Sequence, residues 1–144
     1  MPVALIVGLG EACKIAKDEL HQNEKLSKEF TSRLKEQLLT KVDLIRFNGH
    51  ADERIPNNLH VTIPNINAEA LLHKLKDSVA LSTGAACTTA APEPSHVLLA
   101  MGLSESDISS SIRIGTGRFT TSEEVDLACE QIVSAIRGLK ELSK

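Results

Sequence analysis

The sequence predicts an α+β fold in which a small sheet carries helices packed on one face. Three observations support this prediction: apolar residues recur at helical spacing at both ends of the chain, they alternate with polar residues in between, and the elements do not follow strict β-α-β repetition. The chain has 144 residues, of which 42% are apolar. A chain of this length buries roughly 70% of its unfolded surface, which suits one small domain over residues 1–144.

The first element is a predicted helix from residue 5 to about residue 39. Its apolar positions form two rows, and the spacing between the rows slips near Gln22, where the helix would break if it is not continuous. The helix is longer than one small core needs, so a position between two domains is one interpretation. The rows are Leu9, Cys13 or Ala12, Ala16 and Leu20, and then Leu26, Phe30, Leu34 and Leu38.

The middle of the chain alternates between predicted strands and short helices. Strands are predicted at residues 42–48, 58–64 and 79–83, and the second shows the clearest alternation of apolar and polar residues. Between the second and third strands, Asn67 is placed to cap a short helix whose inner side carries Leu71, Leu72 and Leu75. Another short helix is predicted from residue 95 to residue 101, ending at Gly102.

The last two elements are a strand at residues 111–117 and a long C-terminal helix. In the strand, Ile112 and Ile114 fall on one face and Arg113 on the other. The helix begins at a capping box formed by Thr121 and Glu124. Its apolar stripe consists of Val125, Cys129, Ile132, Ile136 and Leu139.

Composition excludes several classes of partner. The net charge is −3, and the basic residues are scattered, which argues against a nucleic-acid-binding protein. There is no Trp or Tyr, so base stacking on aromatic side chains is nearly excluded. The apolar opening segment is interrupted at Gly8, Gly10 and Glu11 and has no basic n-region, so we expect no membrane insertion. Three widely spaced cysteines predict a reducing, cytoplasmic location.

Cys87 is the candidate nucleophile. It stands among eleven residues, 82–92, that include no large side chain, so its thiol has few apolar neighbours to pack against. A functional thiol and a loop cysteine of no consequence are both compatible with this pattern. No Lys, Arg or His lies within several residues, so any lowering of the thiol pKa has to come from groups distant in sequence. By contrast, we expect Cys13 and Cys129 to be core residues.

Arg113 is the candidate binding residue. Gly115 and Gly117 follow it, which leaves room for a ligand, and a guanidinium in this setting is suited to binding a carboxylate. A solvated strand arginine or a structural ion pair is an equally good interpretation. His96 could pair with Cys87, but an exposed histidine at a helix start is favoured. The five histidines show no metal-ligand spacing, and no metal site is predicted.

Several motifs, in order along the chain, resemble the C-terminal part of a NifS/IscS-type cysteine desulfurase, a class V aminotransferase. They are VALSTGAACTT at residues 79–89, EPSHVL at 93–98, SIRI at 111–114 and GRFTT at 117–121. The opening PVALIVGLGEA at residues 2–12 is similar to the helix that joins the large and small domains of that family, so residues 1–39 resemble the joining segment.

The resemblance implies a pyridoxal-phosphate enzyme of the aspartate aminotransferase fold (fold type I), usually a homodimer. Such an enzyme converts L-cysteine to L-alanine and keeps the sulfur as a persulfide. Cys87 matches the sulfur-accepting nucleophile, and Arg113 matches the arginine that binds the substrate carboxylate. The implied partners are L-cysteine, a sulfur-acceptor protein or scaffold, and the large domain of the same enzyme.

The family's cofactor-binding large domain has no counterpart in these residues. No lysine lies in a motif that matches the Schiff-base lysine, so we expect the chain alone to bind no pyridoxal phosphate and to be inactive. Three alternatives remain open: a cofactor-free module that carries persulfide sulfur on Cys87, part of a selenocysteine lyase, and a structural or interaction domain. The sequence does not indicate which acceptor receives the sulfur.

Overall fold

The structure is a computed structural model that describes residues 2–83 and 94–142. Five helices and four strands alternate without strict repetition, and the predicted α+β class is confirmed. In chain order the elements are α1 (Val3–Lys41), β1 (Arg46–Phe47), β2 (Asn58–Thr62), α2 (Ala68–Leu75), β3 (Ser82–Thr83), α3 (His96–Ala100), α4 (Glu105–Ser109), β4 (Ser111–Gly115) and α5 (Ser122–Leu142).

The four strands form one antiparallel sheet in the order β1-β2-β4-β3. The central pair, β2 and β4, sets Leu59 opposite Ile114 and His60 opposite Arg113. Because side chains alternate along a strand, this register gathers the apolar residues on one face and the polar residues on the other. The alternation predicted for both strands is confirmed.

The apolar face of the sheet forms the core together with α1, α2 and α5. Cys129 is completely buried on the inner side of α5, as predicted from its place in the apolar stripe. The predicted caps also form: Asn67 accepts a hydrogen bond from the amide of Ala70, and Thr121 and Glu124 bond each other's backbone amides. The residues at the centre of this core are Leu34, Leu38, Val61, Ile63, Leu71, Leu75, Ile112, Ile132 and Ile136.

Helix α1 is continuous over 39 residues, without the break considered near Gln22. At 1.5 Å per residue it is about 58 Å long, and only its second half contributes to the core. Leu5 and Leu9 in the first half are mostly exposed, and so is Cys13, so the prediction of a core Cys13 is wrong. The apolar row around Cys13 has the spacing of a packed face, but it extends beyond the described sheet and helices.

A polar cluster fixes the second half of α1 against α5. Arg33 donates two hydrogen bonds to the carboxylate of Asp126, at 2.7 and 2.6 Å, and Gln37 donates a third at 2.7 Å. These bonds hold the pKa of the Asp126 carboxyl below its usual value. They join residues far apart in sequence and so support the register of the two helices.

None of the described helices is long and apolar enough to span a lipid bilayer.

All four strands are shorter than predicted: β2 and β4 each end two residues early, and the outer strands are shortened by local backbone conformation. Leu44 has a φ of 62°, in the left-handed region, so the segment from residue 42 cannot continue as an extended strand and β1 begins only at Arg46. The amide of Val79 bonds the carbonyl of Leu75, which closes the end of α2 instead of joining the sheet. The strand predicted at 79–83 is therefore paired only at β3. Helix α4 was absent from the prediction.

Replacing Leu38 by alanine is expected to lower the free energy of unfolding by about 2–5 kcal/mol, because its side chain is completely buried in the core. The neighbouring Leu39 is 51% exposed, and Leu39→Ala is expected to change the free energy by no more than about 0.5 kcal/mol. Urea unfolding of both variants measures the difference. Equal losses would show that α1 does not pack through the predicted row.

Candidate functional site

A cavity of about 590 Å³ lies on the polar face of the sheet. Its floor is formed by side chains of β2 and β4, and its walls come from the β1–β2 connection and from α3. The cavity is therefore placed opposite the apolar core, where the alternation of the strands puts polar groups. The polar lining residues are Asn48, His50, Glu53, Arg54, Asn58, His60, Thr83, Ser95, His96 and Arg113.

Arg113 lies at the middle of β4 and is exposed to the cavity. Its Nε donates a hydrogen bond to the hydroxyl of Ser82 on β3, at 3.1 Å, which restrains the side chain. Within residues 2–83 and 94–142, its two terminal guanidinium nitrogens have no bonding partner and no carboxylate forms an ion pair with it. The guanidinium is thus positioned and available for a bidentate contact with a carboxylate.

The glycines after Arg113 leave this region open. A side chain at Gly115 would meet the backbone oxygen of Asn57 at an ordinary 3.8 Å, and one at Gly117 would meet nothing within 4 Å. No described group packs closely enough to require these glycines. The expectation that they admit a ligand stays a prediction.

His60 is the neighbour of Arg113 on β2, and its ring orientation is fixed by a buried network. Ser111 donates its hydroxyl proton to the carbonyl of Asp107, so Thr62 must be the donor in its 2.8 Å bond with Ser111. Asn48 Nδ2 then donates both to Thr62 and to Nδ1 of His60, each at 2.8 Å. Because Nδ1 accepts, the proton of the neutral imidazole resides on Nε2.

Charge and burial keep this imidazole neutral. Burial lowers the pKa of His60 below its usual value, and the positive charges of Arg113 and Arg54 lower it further. Arg54 itself is held by the carbonyl oxygens of Asn58 and Asn48, at 2.6 and 3.4 Å. Arg54 therefore connects the residue after β1 to the first residue of β2. The terminal nitrogens of Arg113, by contrast, have no partner among the described residues.

Two buried polar atoms in the cavity lining lack a partner. Nε2 of His60 and Oδ1 of Asn58 are closed to solvent, and neither forms a hydrogen bond within the part of the chain that the structure describes. They are a donor and an acceptor two residues apart on the same face of β2. A buried group of this kind costs about 1–3 kcal/mol when it is left unpaired, so each atom is expected to meet a polar group that is not among the described residues.

The predicted nucleophile, Cys87, lies outside the described residues. Thr83, which directly precedes its segment, and Ser95, the second described residue after that segment, both line the cavity that contains Arg113. His96 is exposed at the start of α3, as favoured from the sequence. Burial raises the pKa of the Cys129 thiol, which agrees with its predicted role as a core residue.

The sequence predicted Arg113 but not the residues that surround it. His60 occupies a polar position of the strand predicted at 58–64, Asn48 is the last residue of the strand predicted at 42–48, and Arg54 lies between the two strands. Their convergence depends on the register of β2 against β4 and on the course of the β1–β2 connection. The alternation of His60 with Leu59 and Val61 was the one available signal, since it placed His60 on the face of the sheet away from the core.

Replacing Arg113 by glutamine is expected to raise the pKa of His60, because one of the two positive charges that oppose its protonation is removed. The matched control is Arg137→Gln, since Arg137 lies on α5 and does not line the cavity. An NMR titration of the histidine side chains measures both values. An unchanged pKa in the Arg113 variant would show that the two side chains are not electrostatically coupled.

The lowered pKa of His60 also has a consequence for stability. Between the unfolded and folded pKa values of this histidine, the unfolded chain binds more protons than the folded chain. The contribution of His60 to the free energy of unfolding is therefore complete above the unfolded value of about 6.5 and decreases as the pH falls through the folded value. Urea unfolding at a series of pH values between neutrality and pH ~5 measures this decrease.

The chain belongs to the class V aminotransferases, whose family model matches residues 1–127. Within that family, the chain is similar to cysteine desulfurases. It is 45% identical over 138 residues to the cysteine desulfurase IscS of Colwellia psychrerythraea and 40% identical over 143 residues to the cysteine desulfurase of Pongo abelii. These matches cover 96% and 99% of the chain, respectively.

Solved structures support the same relationship. The X-ray structure of a NifS-like protein from Rickettsia africae superimposes with a TM-score of 0.82 at 27% sequence identity, covering 94% of this chain and 35% of that protein. The chain also spans only 34% and 31% of the two desulfurase sequences. It therefore corresponds to about a third of its relatives.

Family membership implies pyridoxal phosphate in the full-length enzymes, and this cavity does not fit covalent attachment of that cofactor. The attachment requires a lysine, and no lysine is among the described residues that line the cavity. The described residues also contain no group of three or more His, Cys, Asp or Glu side chains that could hold a metal ion. The cavity lining provides a positioned arginine and a histidine Nε2–H, which are donors suited to an anion, and the Asn58 amide oxygen, which is an acceptor suited to a donor group of a ligand.

Proposed function

We propose that the chain is the small, C-terminal domain of a cysteine desulfurase. In the reaction, L-cysteine becomes L-alanine, and the substrate sulfur ends as a persulfide on Cys87. Arg113 binds the substrate carboxylate. The observation that carries this proposal is the free terminal guanidinium of Arg113 in a cavity whose lining includes Thr83 and Ser95, on the two sides of the Cys87 segment.

Chain connectivity supports a shared site for Cys87 and Arg113. Thr83 pairs with Ile112 and Ser82 pairs with Arg113, so β3 brings the chain to Arg113 directly before the Cys87 segment begins. Cys87 follows Thr83 by four residues, and an extended chain spans at most about 3.6 Å per residue. Four residues of chain span at most roughly 14 Å, so the connection from Thr83 is short.

The proposed sulfur transfer balances without an added oxidant or reductant. The carbon–sulfur bond of L-cysteine breaks, a sulfur–sulfur bond to Cys87 forms, and the carbon that loses sulfur takes up a proton to give L-alanine. The sulfur that leaves the substrate is retained as the persulfide. The thiolate is the reactive form of Cys87, and Arg113 is a cation paired with Ser82 on the strand that leads into the Cys87 segment.

We assign the cofactor chemistry to the part of the family polypeptide that corresponds to the other two thirds of the relatives. The first half of α1 supports this division, because the exposed residues Leu5, Ile6 and Leu9 lie on one face of the helix and form an apolar surface suited to packing against another domain. The full enzyme is proposed to be a homodimer that transfers sulfur to an acceptor protein or scaffold. A reducing, cytoplasmic compartment is proposed because Cys87 acts as a free thiol.

A second candidate is a cofactor-free module that receives persulfide sulfur on Cys87 and passes it on. The absence of a lysine from the described cavity lining favours this alternative for the 144-residue chain acting alone. Such a module would accept sulfur from a persulfide donor but would not act on L-cysteine.

A hybrid enzyme tests the proposal. Residues 1–144 replace the aligned segment of the Colwellia psychrerythraea desulfurase, and alanine formation from L-cysteine is measured with pyridoxal phosphate present. We expect the hybrid to form alanine and the 144-residue chain alone to form none. A folded hybrid that binds the cofactor but forms no alanine would contradict the proposal. Alanine formation by the chain alone would contradict the assignment of the cofactor to another domain.

A further inference from the structure

We propose that His60 is a second binding residue for the substrate carboxylate, to which it donates a hydrogen bond from Nε2–H across the sheet from Arg113. This inference deepens the proposed function and rests on it, because it assumes that Arg113 holds a carboxylate. It adds a residue of β2 to a site that the sequence motifs assigned to β4 alone.

The register of the sheet places the two side chains within reach of one ligand. His60 and Arg113 are direct partners in the β2–β4 pairing. Side chains at directly opposite positions have Cβ atoms about 5 Å apart, and both residues line the cavity. A carboxylate has two oxygens with several lone pairs, so one group can accept from a guanidinium and an imidazole together.

The hydrogen-bond network determines what His60 can offer. Because Asn48 donates to Nδ1 and is itself oriented by Thr62, the ring presents Nε2–H as its only remaining polar group. That donor has no partner within residues 2–83 and 94–142. A neutral imidazole beside a guanidinium adds a directed donor without adding a second charge that would repel it.

An anion is the acceptor that satisfies both groups at once. Water could accept from Nε2–H, but it would leave the charge of Arg113 uncompensated. Nε2 is closed to solvent in the structure, so the bond forms as side chains of the cavity wall adjust around the ligand, which is common at binding sites. Asn58 Oδ1, the unpartnered acceptor two residues away, is suited to the ammonium group of an amino acid.

Acetate, used as a simple carboxylate, tests the inference on the 144-residue chain. The chain is labelled with ¹⁵N in histidine and arginine, and side-chain NMR signals are followed as sodium acetate is added, with sodium chloride at equal ionic strength as the reference. We expect the His60 Nε2–H and Arg113 signals to shift together along one saturable curve. In His60→Ala, the dissociation constant for acetate should rise about tenfold.

The matched control is His73→Ala, because His73 is an exposed residue of α2, on the opposite side of the sheet, and should leave acetate binding unchanged. The wild-type signals decide the question even if His60→Ala fails to fold. An Arg113 shift with no change at His60 Nε2 would overturn the inference and leave the role of Arg113 standing. No acetate-dependent shift at Arg113 would overturn the carboxylate role itself, and the inference with it.

Discussion

Cys87→Ser in the hybrid enzyme is expected to reduce sulfur transfer from L-cysteine by at least about a thousandfold, because the serine hydroxyl is a far weaker nucleophile than a thiolate at neutral pH. Sulfide released in the presence of a reducing thiol gives the rate. Binding of L-cysteine should be retained, since Arg113 and the rest of the cavity are unchanged. The loss should therefore appear in kcat and not in KM.

Cys13→Ser is the control for this experiment. Cys13 is an exposed thiol on the first half of α1, outside the cavity, so its replacement should leave sulfur transfer unchanged. Cys129 is a poorer control because its side chain is completely buried in the core. If Cys87→Ser retained wild-type transfer, the sulfur would be accepted elsewhere and the proposed function of this chain would fail.

Arg113→Ala is expected to raise KM for L-cysteine in the hybrid by about a hundredfold. Truncating one partner of a hydrogen-bonded charge pair costs about 2–5 kcal/mol. Because Arg113 is exposed, we expect a loss near the lower end of that range. Arg113→Lys keeps the charge but loses the planar pair of donors, so a rise of about tenfold is expected. Both losses should affect KM more than kcat, because the carboxylate is bound throughout the reaction.

The matched variants at Arg137 separate this effect from a general loss of positive charge. Arg137 is exposed on α5 and is not among the residues that line the cavity, so Arg137→Ala and Arg137→Lys should leave KM unchanged. An Arg113→Ala variant with the KM of the parent hybrid would mean that Arg113 is the solvated strand arginine that the sequence also allowed.

Local sequence patterns predicted most of the fold because they act over a few residues. The stripe from Val125 to Ile136 and the caps at Asn67 and Thr121 appear as expected, since periodicity and capping depend on neighbours along the chain. The outer strands were overextended because their limits are set by single backbone events, such as the positive φ of Leu44.

Cys13 shows what an apolar pattern leaves undetermined. Its row has helical spacing and does form part of a helix, but spacing specifies a face and not the partner that covers it. The buried residues of α1 all lie in its second half, from Ser27 onward, and the first half is contacted by an ion pair between Glu19 and Arg118. The prediction of burial at Cys13 assumed a partner that residues 2–83 and 94–142 do not provide.

The site was only half predictable for a similar reason. Arg113 stands out in one strand, but its relation to His60 depends on the pairing of β2 with β4, between residues more than fifty positions apart. The orientation of the His60 ring depends further on Asn48, Thr62 and Ser111, which come from three different segments. No local motif contains this arrangement, so only the tertiary structure identifies His60 as a candidate binding residue.

Peptide mapping by mass spectrometry after a single turnover tests the central claim most directly. The hybrid enzyme is mixed with L-cysteine without a reducing thiol, free thiols and persulfides are blocked, and each cysteine peptide is examined for added sulfur. The account predicts one additional sulfur atom on the peptide that contains Cys87 and none on those of Cys13 and Cys129. Alanine formation with no added sulfur on Cys87 would contradict it.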